Sequence, residues 1–321
     1  MTFMDIDLTE QVKGKHDLWE IENLVQFSSL TYRLNDLETR LGRSGYGIDC
    51  GVRCLYLQFH YDLSDRQLEE RLRFDLAFKW FCGFTAFEAT PDHSYFGRFR
   101  EMAGTKRIVN LFSAIVKRSS RAGIMRHVFR FADASSIISK NTTWDERDRA
   151  IKDGEKALNN ANVGKFSADK QARFGCKGRK KFWYGYKSHV SVDMGSGLIE
   201  SIAATPANVS DQAGFKHVCP KHNEMVFADK AYCLKPAQDA MAKRGASSAA
   251  ILRQNMIGKN KDLDRWRSGI RAPFEGVFSK FNKRARYRSL AKVQLQCFMQ
   301  AIVHNVKRLV RLNSPPLLAG A

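Results

Sequence analysis

No apolar run in this chain approaches the roughly 18 residues that a membrane-crossing helix needs. Stretches such as residues 297–303 stop at His304 and Asn305. The opening residues carry early acids rather than a basic segment followed by an apolar one, so no secretory leader is expected. Seven cysteines, at 50, 54, 82, 176, 219, 233 and 297, include no C-x-x-C pair. That spacing argues against a disulfide or zinc framework and for a reducing cytoplasm. Internal repeats and low-complexity tracts are also lacking. From Gly276 onward there is no Asp or Glu, against nine Lys and Arg.

What is present is ordinary globular material with an unusual charge. The 321 residues are 44% hydrophobic and 27% charged, enough to bury a sizeable core without cross-links. Lys and Arg number 53 against 33 Asp and Glu, a net charge of +20. An excess of that size points to a polyanionic partner, of which nucleic acid is the commonest. Residues 1–70 hold 7 basic and 13 acidic side chains, so the positive surface belongs to the later chain.

The first third reads as helical. Ser64 and Gln67 form a capping box for a helix expected to run to about Phe81, with Leu68, Leu72, Leu76 and Phe78 on its apolar face. Gly83 breaks it. Thr90-Pro91-Asp92 opens a second helix carrying Phe96, Phe99 and Met102, and a third follows over residues 108–116. Pattern alone leaves open whether these helices form only a core bundle or also contact DNA.

The pattern changes near His127. Residues 127–132 read as a short strand ending at Asp133. About 45 polar, basic residues follow, too many for a plain loop, so this stretch is a functional insertion or holds helices. A hairpin is expected from residues 184–193 and 198–204 around the turn Met194-Gly195-Ser196-Gly197. Then come a short helix at 211–218, a strand at 225–228 ending at Asp229, a helix at 236–244 closed by Gly245, a strand at 249–252 and a helix at 272–281. This order predicts an α/β domain with a mixed sheet.

Three acids stand out in that frame. Asp133 and Asp229 each follow an apolar strand, and Glu275 is placed early in a helix. Carboxylates at neighbouring strand ends, with one more from a covering helix, offer the hard oxygen ligands that suit magnesium. Two such ions about 3.5–4 Å apart can serve both the attacking and the leaving oxygen of phosphoryl transfer. Taken singly, an acid at a strand end is more often a turn or cap residue. Spacing and composition alone therefore reach a nuclease-like reading. His217, Cys219, His222 and Cys233 fit no common zinc spacing. His189, on the hairpin, reads as structural rather than as a base. Residues 170–187 hold seven cations, no acid and five interleaved aromatics. Arg179, Lys180 and Lys181 are expected at phosphates, and Trp183 and Tyr186 in the core. In the C-terminal helices Leu295, Phe298, Ile302 and Leu309 form an apolar stripe, with Lys and Arg opposite it toward DNA.

The runs RFADASSII, YGYKSHVSVDMGSGLIESIAATPANVSD, VFADKAY and RAPFEGVFSKF, then RARYRSLAKVQLQCFMQAIVHNVKRL, together resemble bacterial insertion-sequence DDE transposases of the insertion-sequence-five group. The likeness spans about residues 45–312. It includes YDLSDRQLEERLRFDLAFKWFCGF and TPDHSYFGRFRE, which are similar to that family's helical N-terminal domain. The resemblance implies a ribonuclease-H-like α/β domain, with a mixed sheet and flanking helices, preceded by a mainly helical N-terminal domain.

Residue by residue, the resemblance makes Asp133, Asp229 and Glu275 the catalytic and metal-holding acids. Arg271 matches the Arg one turn before the Glu, and Lys280 or Lys283 the Lys near the DNA backbone. Three places depart from the pattern: Ser268 for a Tyr, Asn282 for a Lys and Ala231 for a Gly. The implied domains are residues 1–120, for DNA-end binding or oligomerisation, and residues 121–313, the catalytic domain with a basic insertion at about 140–182. A flexible tail, 314–321, follows. The implied activity is cleavage at the terminal inverted repeats of an insertion sequence and joining of the 3′-OH ends to target DNA. Magnesium serves as cofactor, with manganese able to substitute. The partner is double-stranded DNA, the protein a homodimer or higher oligomer on it, and the location the bacterial cytoplasm at the nucleoid. Expected DNA contacts are Arg179, Lys180, Lys181, Lys230, Arg271, Lys280, Lys283 and Arg284. A DNA-binding protein that no longer cuts and a general ribonuclease-H-like nuclease are the competing readings.

Overall fold

The computed structural model describes residues 7–32, 34, 45–139, 144–178, 181–220 and 223–312. The chain divides into two compact units. One comprises residues 1–122 with 302–321, the other residues 123–301.

The first unit is helical: α1 (Leu8–Val12), α2 (Asp17–Val25), α3 (Phe27–Thr31), α4 (Gly47–His60), α5 (Asp65–Phe74), α6 (Leu76–Cys82) and α7 (His93–Arg121). Both halves of the Ser64–Gln67 capping box form at the start of α5. The single helix expected to Phe81 is two, because Asp75 turns extended and caps α6 through the amides of Ala77 and Phe78. The Asp75 carboxylate offers those amides a better acceptor than a continued helix would. Leu76 consequently lies exposed rather than on the apolar face. The two helices expected from Asp92 onward are joined in α7 across a kink at Gly104, whose φ of 63° is not helical.

α4 runs through the centre of this unit. Its buried Arg53 bonds Glu22 and Asp49, each at 2.6 Å, and lies over the rings of Phe27 and Phe81. A guanidinium so enclosed is tolerable only because both carboxylates meet it.

The second unit begins with β1 (Phe129–Ile138) and continues through α8 (Trp144–Lys152), α9 (Val163–Phe166), β2 (Arg173–Lys177), β3 (Lys181–Asp193) and β4 (Ile199–Pro206). Next come α10 (Asp211–Gly214), β5 (Met225–Ala228), α11 (Lys235–Ala242), β6 (Ser247–Ser248) and α12 (Lys261–Glu275). The last helix, α13 (Leu290–Arg311), runs on into the residues of the first unit. The expected insertion thus holds helices and a strand of its own. Residues 140–143, 179–180 and the tail lie outside the described residues.

The sheet runs β2-β3-β1-β5-β6, with β4 also on β3. β3 holds β1 antiparallel along one edge and β2, then β4, along the other. β5 and β6 continue from β1 in parallel. Helices cover both faces, which is the expected ribonuclease-H-like mixed architecture. On one face Ala132, Val226 and Ala228 pack with Phe215, Tyr232 and Met241. On the other, Phe131 stacks on Phe274 of α12 at 6.0 Å, and Phe227 meets Trp266 of the same helix at 6.0 Å.

Four boundaries differ from expectation. β1 does not end at Asp133 but continues five residues, because long β3 goes on pairing with it as far as Ile138↔Gly185. The strand expected at 249–252 is the shorter β6, two residues earlier. Ala249 and Ile251 still donate amides to Val226 and Ala228 of β5 without forming a regular ladder. The helix expected at 272–281 is α12, started eleven residues sooner by Asn260, whose side chain accepts from the amides of Asp262 and Leu263. α13 is not a one-stripe helix. Leu295, Phe298, Ile302 and Leu309 are buried as read, but so are Gln296, Cys297, Met299 and Val303.

Candidate active site

The parallel pairing of β1 with β5 ends at Ala132↔Ala228, so Asp133 and Asp229 are the next residues along two adjacent strands. By strand alternation Asp133 projects on the face of Phe131 and Phe227, the face that α12 covers. Asp133 accepts the amide of Ala134 at 2.8 Å, and Asp229 that of Ala231 at 2.8 Å. The Asp133 carboxyl is raised to about 6, chiefly by burial and then by the neighbouring Asp229 charge. The Ala134 amide, Arg271 and Lys177 pull the other way. Tyr232, buried beneath, is held well above its ordinary value by burial and then by the charges of Asp133, Asp211 and Asp229.

α12 supplies the other side of the site. Glu275 is its last residue rather than an early one, because the helix begins at Lys261. Its exposed carboxylate lies 3.5 Å from Arg271, one turn back. Arg271 is 5% exposed, with its guanidinium over the ring of Phe131 at 5.7 Å. Arg271 thus meets Glu275 on its own helix and packs on Phe131 of the strand that carries Asp133, while the ligand atoms of Asp133, Asp229 and Glu275 do not all come within 4.8 Å of one another. Two half-buried carboxylates at adjacent strand ends, with Glu275 on the covering helix, offer the hard oxygen donors that a divalent cation takes.

The remaining expected residues separate. Lys181, Lys230, Lys280, Lys283 and Arg284 are exposed. Lys283 and Arg284 lie beside the far end of β1, where Ile138 donates to the carbonyl of Lys283 at 2.7 Å. Arg179, Lys180 and His222 lie outside the described residues. Trp183 is half-buried and Tyr186 wholly buried, the latter donating to Asp169 at 2.8 Å. His189 is buried against Thr205 at 2.8 Å, and burial lowers it to about 4, so it is a neutral core residue. Cys219 and Cys233 donate to the carbonyls of Ala240 and Lys230, and every cysteine is a free thiol.

Sequence reading missed a second acidic group. Among the described residues, His127, Glu200 and Glu224 are the one cluster whose ligand atoms lie within 4.8 Å of one another. It is already filled by a cation: the buried Arg130 guanidinium pairs with both Glu200 and Glu224. An isolated Arg inside an apolar strand was the available signal.

Comparison with known proteins identifies the family. Residues 6–102 match the family model described as Transposase domain (DUF772), and residues 159–306 match that described as Transposase DDE domain. The second match contains Asp229 and Glu275, while Asp133 precedes it. A solved structure, a piggyBac transposase synaptic complex with hairpin DNA determined by cryo-EM, aligns over 92% of this chain and 74% of its own. The identity is 9% and the TM-score 0.41. The insertion-sequence-five group rests on the residue resemblance alone. The two family matches, one in the helical region and one across the sheet, establish that the chain belongs to the insertion-sequence DDE transposases, metal-dependent enzymes of DNA transposition.

Proposed function

We propose that this transposase binds the terminal inverted repeats of its own element, cuts at the element ends and joins the freed 3′-OH groups to target DNA. The observation that carries the reading is the pairing of Asp133 with Asp229 at adjacent parallel strand ends, under a helix that brings Arg271 and Glu275 to the same face. Asp133 and Asp229 hold magnesium, for which manganese substitutes, and Glu275 completes the set. When bound, the cations supply Lewis-acid stabilisation of the attacking and leaving oxygens.

The chain's own residues do the rest. In the first step water attacks the end phosphate and the P–O3′ bond breaks, leaving a 3′-OH and a 5′-phosphate. In the second, that 3′-OH attacks a target phosphate and the target's own 3′-oxygen leaves. Arg271, held against Phe131, keeps Glu275 turned toward the aspartates and faces the phosphate between them. Lys181, Lys230, Lys280, Lys283 and Arg284, with Arg179 and Lys180, take the DNA backbone. The helical residues 1–120 serve end binding and assembly of a dimer or larger complex, because two ends join in one reaction. The protein acts on the bacterial nucleoid.

The test is a magnesium-dependent cleavage and joining assay on labelled duplexes carrying the DNA that flanks this reading frame. Nicking at a defined terminus, absent in Asp229→Ala, is the expected result. Tight binding with no cut in magnesium or manganese would instead establish a DNA-binding protein that has lost catalysis. Equal cutting of unrelated duplexes without joining would establish a general nuclease.

A further inference from the structure

His189 stands on β3 opposite Ala134, next to the rung that sets Asp133 against Val190. Its imidazole is wholly buried. Nε2 meets the Thr205 hydroxyl at 2.8 Å, and Nδ1 has no partner among the described residues. A buried nitrogen left without a hydrogen bond is a cost that an aliphatic side chain would avoid. What the fold uses here is the flat shape of the ring and the plane in which Thr205 holds it.

α10 rests on that ring. Gly214, the last residue of α10, lies so close over the imidazole that a Cβ there would overlap Cε1, Nε2 and Nδ1. Its φ of −71° is ordinary helix, so glycine is required for the close approach and not for the conformation. Lys187, on the same face of β3, pairs with Asp211 at 2.8 Å and fixes the start of α10 to the sheet.

From α10 the packing leads to Asp229. Phe215 follows Gly214 directly, and its ring meets that of Tyr232 edge-on at 5.4 Å. Both pack with Ala132 and Ala228, the rung just before the two aspartates. The Tyr232 amide donates to the carbonyl of Asp229 at 3.1 Å, and the Ala231 amide to its carboxylate at 2.8 Å. The height of α10 above the sheet therefore sets where this turn presents its acid, because a close-packed interior passes such a displacement on.

Resting on the transposase reading, we propose that His189 is a positioning residue: its imidazole is the spacer that seats α10 through Gly214, and α10, through Phe215 and Tyr232, holds the turn that presents Asp229 to the metal.

The experiment follows amide hydrogen exchange at residues 229–233 of the full-length protein without metal, then titrates Mn2+ alone by electron paramagnetic resonance. Gly214→Ala is expected to speed exchange there and to weaken Mn2+ binding, each by about tenfold. Adding His189→Ala makes room for the new methyl group and returns both to within about threefold of wild type. Thr205→Val, a milder change that leaves the ring in place without its anchor, shifts both in the same direction by about threefold. Two results overturn the proposal. One is a Gly214→Ala protein whose exchange rises only at residues 211–218. The other is a double variant that regains the thermal midpoint but neither the slow exchange at 229–233 nor the Mn2+ affinity, as plain core filling would give. A wild type that shows this exchange pattern and binds no Mn2+ supports the spacer while counting against the metal site.

Discussion

Asp133 and Asp229 stand side by side because both follow the last rung of one parallel ladder, Ala132↔Ala228. The position is set by backbone pairing rather than by any bond between the carboxylates. The Asp229 charge, so placed, opposes the ionisation of Asp133.

Replacing Asp229 with Ala should therefore reduce cleavage by about a thousandfold or more, since a ligand of the transition-state charge is lost. Folding stability should stay within about 1 kcal/mol of wild type or rise slightly, because a like-charge neighbour has been removed. Cleavage rates and urea denaturation, measured on the same preparation, check both halves.

Arg271 and Glu275 should separate into two kinds of loss. Glu275→Gln removes an exposed acid and should abolish cleavage with stability changed by no more than about 0.5 kcal/mol. Arg271→Ala removes a buried guanidinium packed on Phe131 and should cost about 2–3 kcal/mol as well as activity. Thermal unfolding of the two variants distinguishes them.

The acid site was legible in the sequence to the extent that local signals carried it. Apolar runs ending at Asp133 and Asp229, the capping box at Ser64 and the turn at Gly197 all act over a few residues. The misplaced elements share a physical cause, which is competition between neighbouring signals. Asp75 offered a cap inside an apolar pattern, and Asn260 began α12 far upstream of the apolar residues that suggested it. Arg130 and Asp169 depend on partners 15 to 120 residues away, and no local pattern encodes such encounters.

The Arg130 cluster should behave as a unit. Glu224→Gln leaves a buried guanidinium short of charge and should cost about 3–5 kcal/mol. Changing Arg130→Met together with Glu224→Leu should recover part of that loss, since that pair no longer has to be matched, while Glu200 is left without its guanidinium. A double-mutant cycle by urea denaturation gives the coupling.

Stability should fall between about pH 6.5 and pH 4. Burial lowers both His60 and His189 to about 4, the charge of Lys307 adding to the effect on His60. A base depressed in the folded state is neutral there, while the unfolded chain takes up the proton below 6.5. The stabilisation is complete above that value and is lost on acidification through the window. His189→Gln should flatten the decline by an amount on the order of 2–3 kcal/mol, read from denaturation midpoints across the window.

The far end of β1 has a consequence for how the enzyme is made. Ile138 is bracketed by Lys283 and Ala285, through bonds of 2.7 and 2.8 Å, and Asp169, which receives Tyr184 and Tyr186, also accepts the amide of Ser289. A growing polypeptide that has already emitted Asp133, Asp229 and Glu275 still lacks the segment that closes the strand bearing the first of them. The ribosome must deliver residues 283–289 before that strand is sealed.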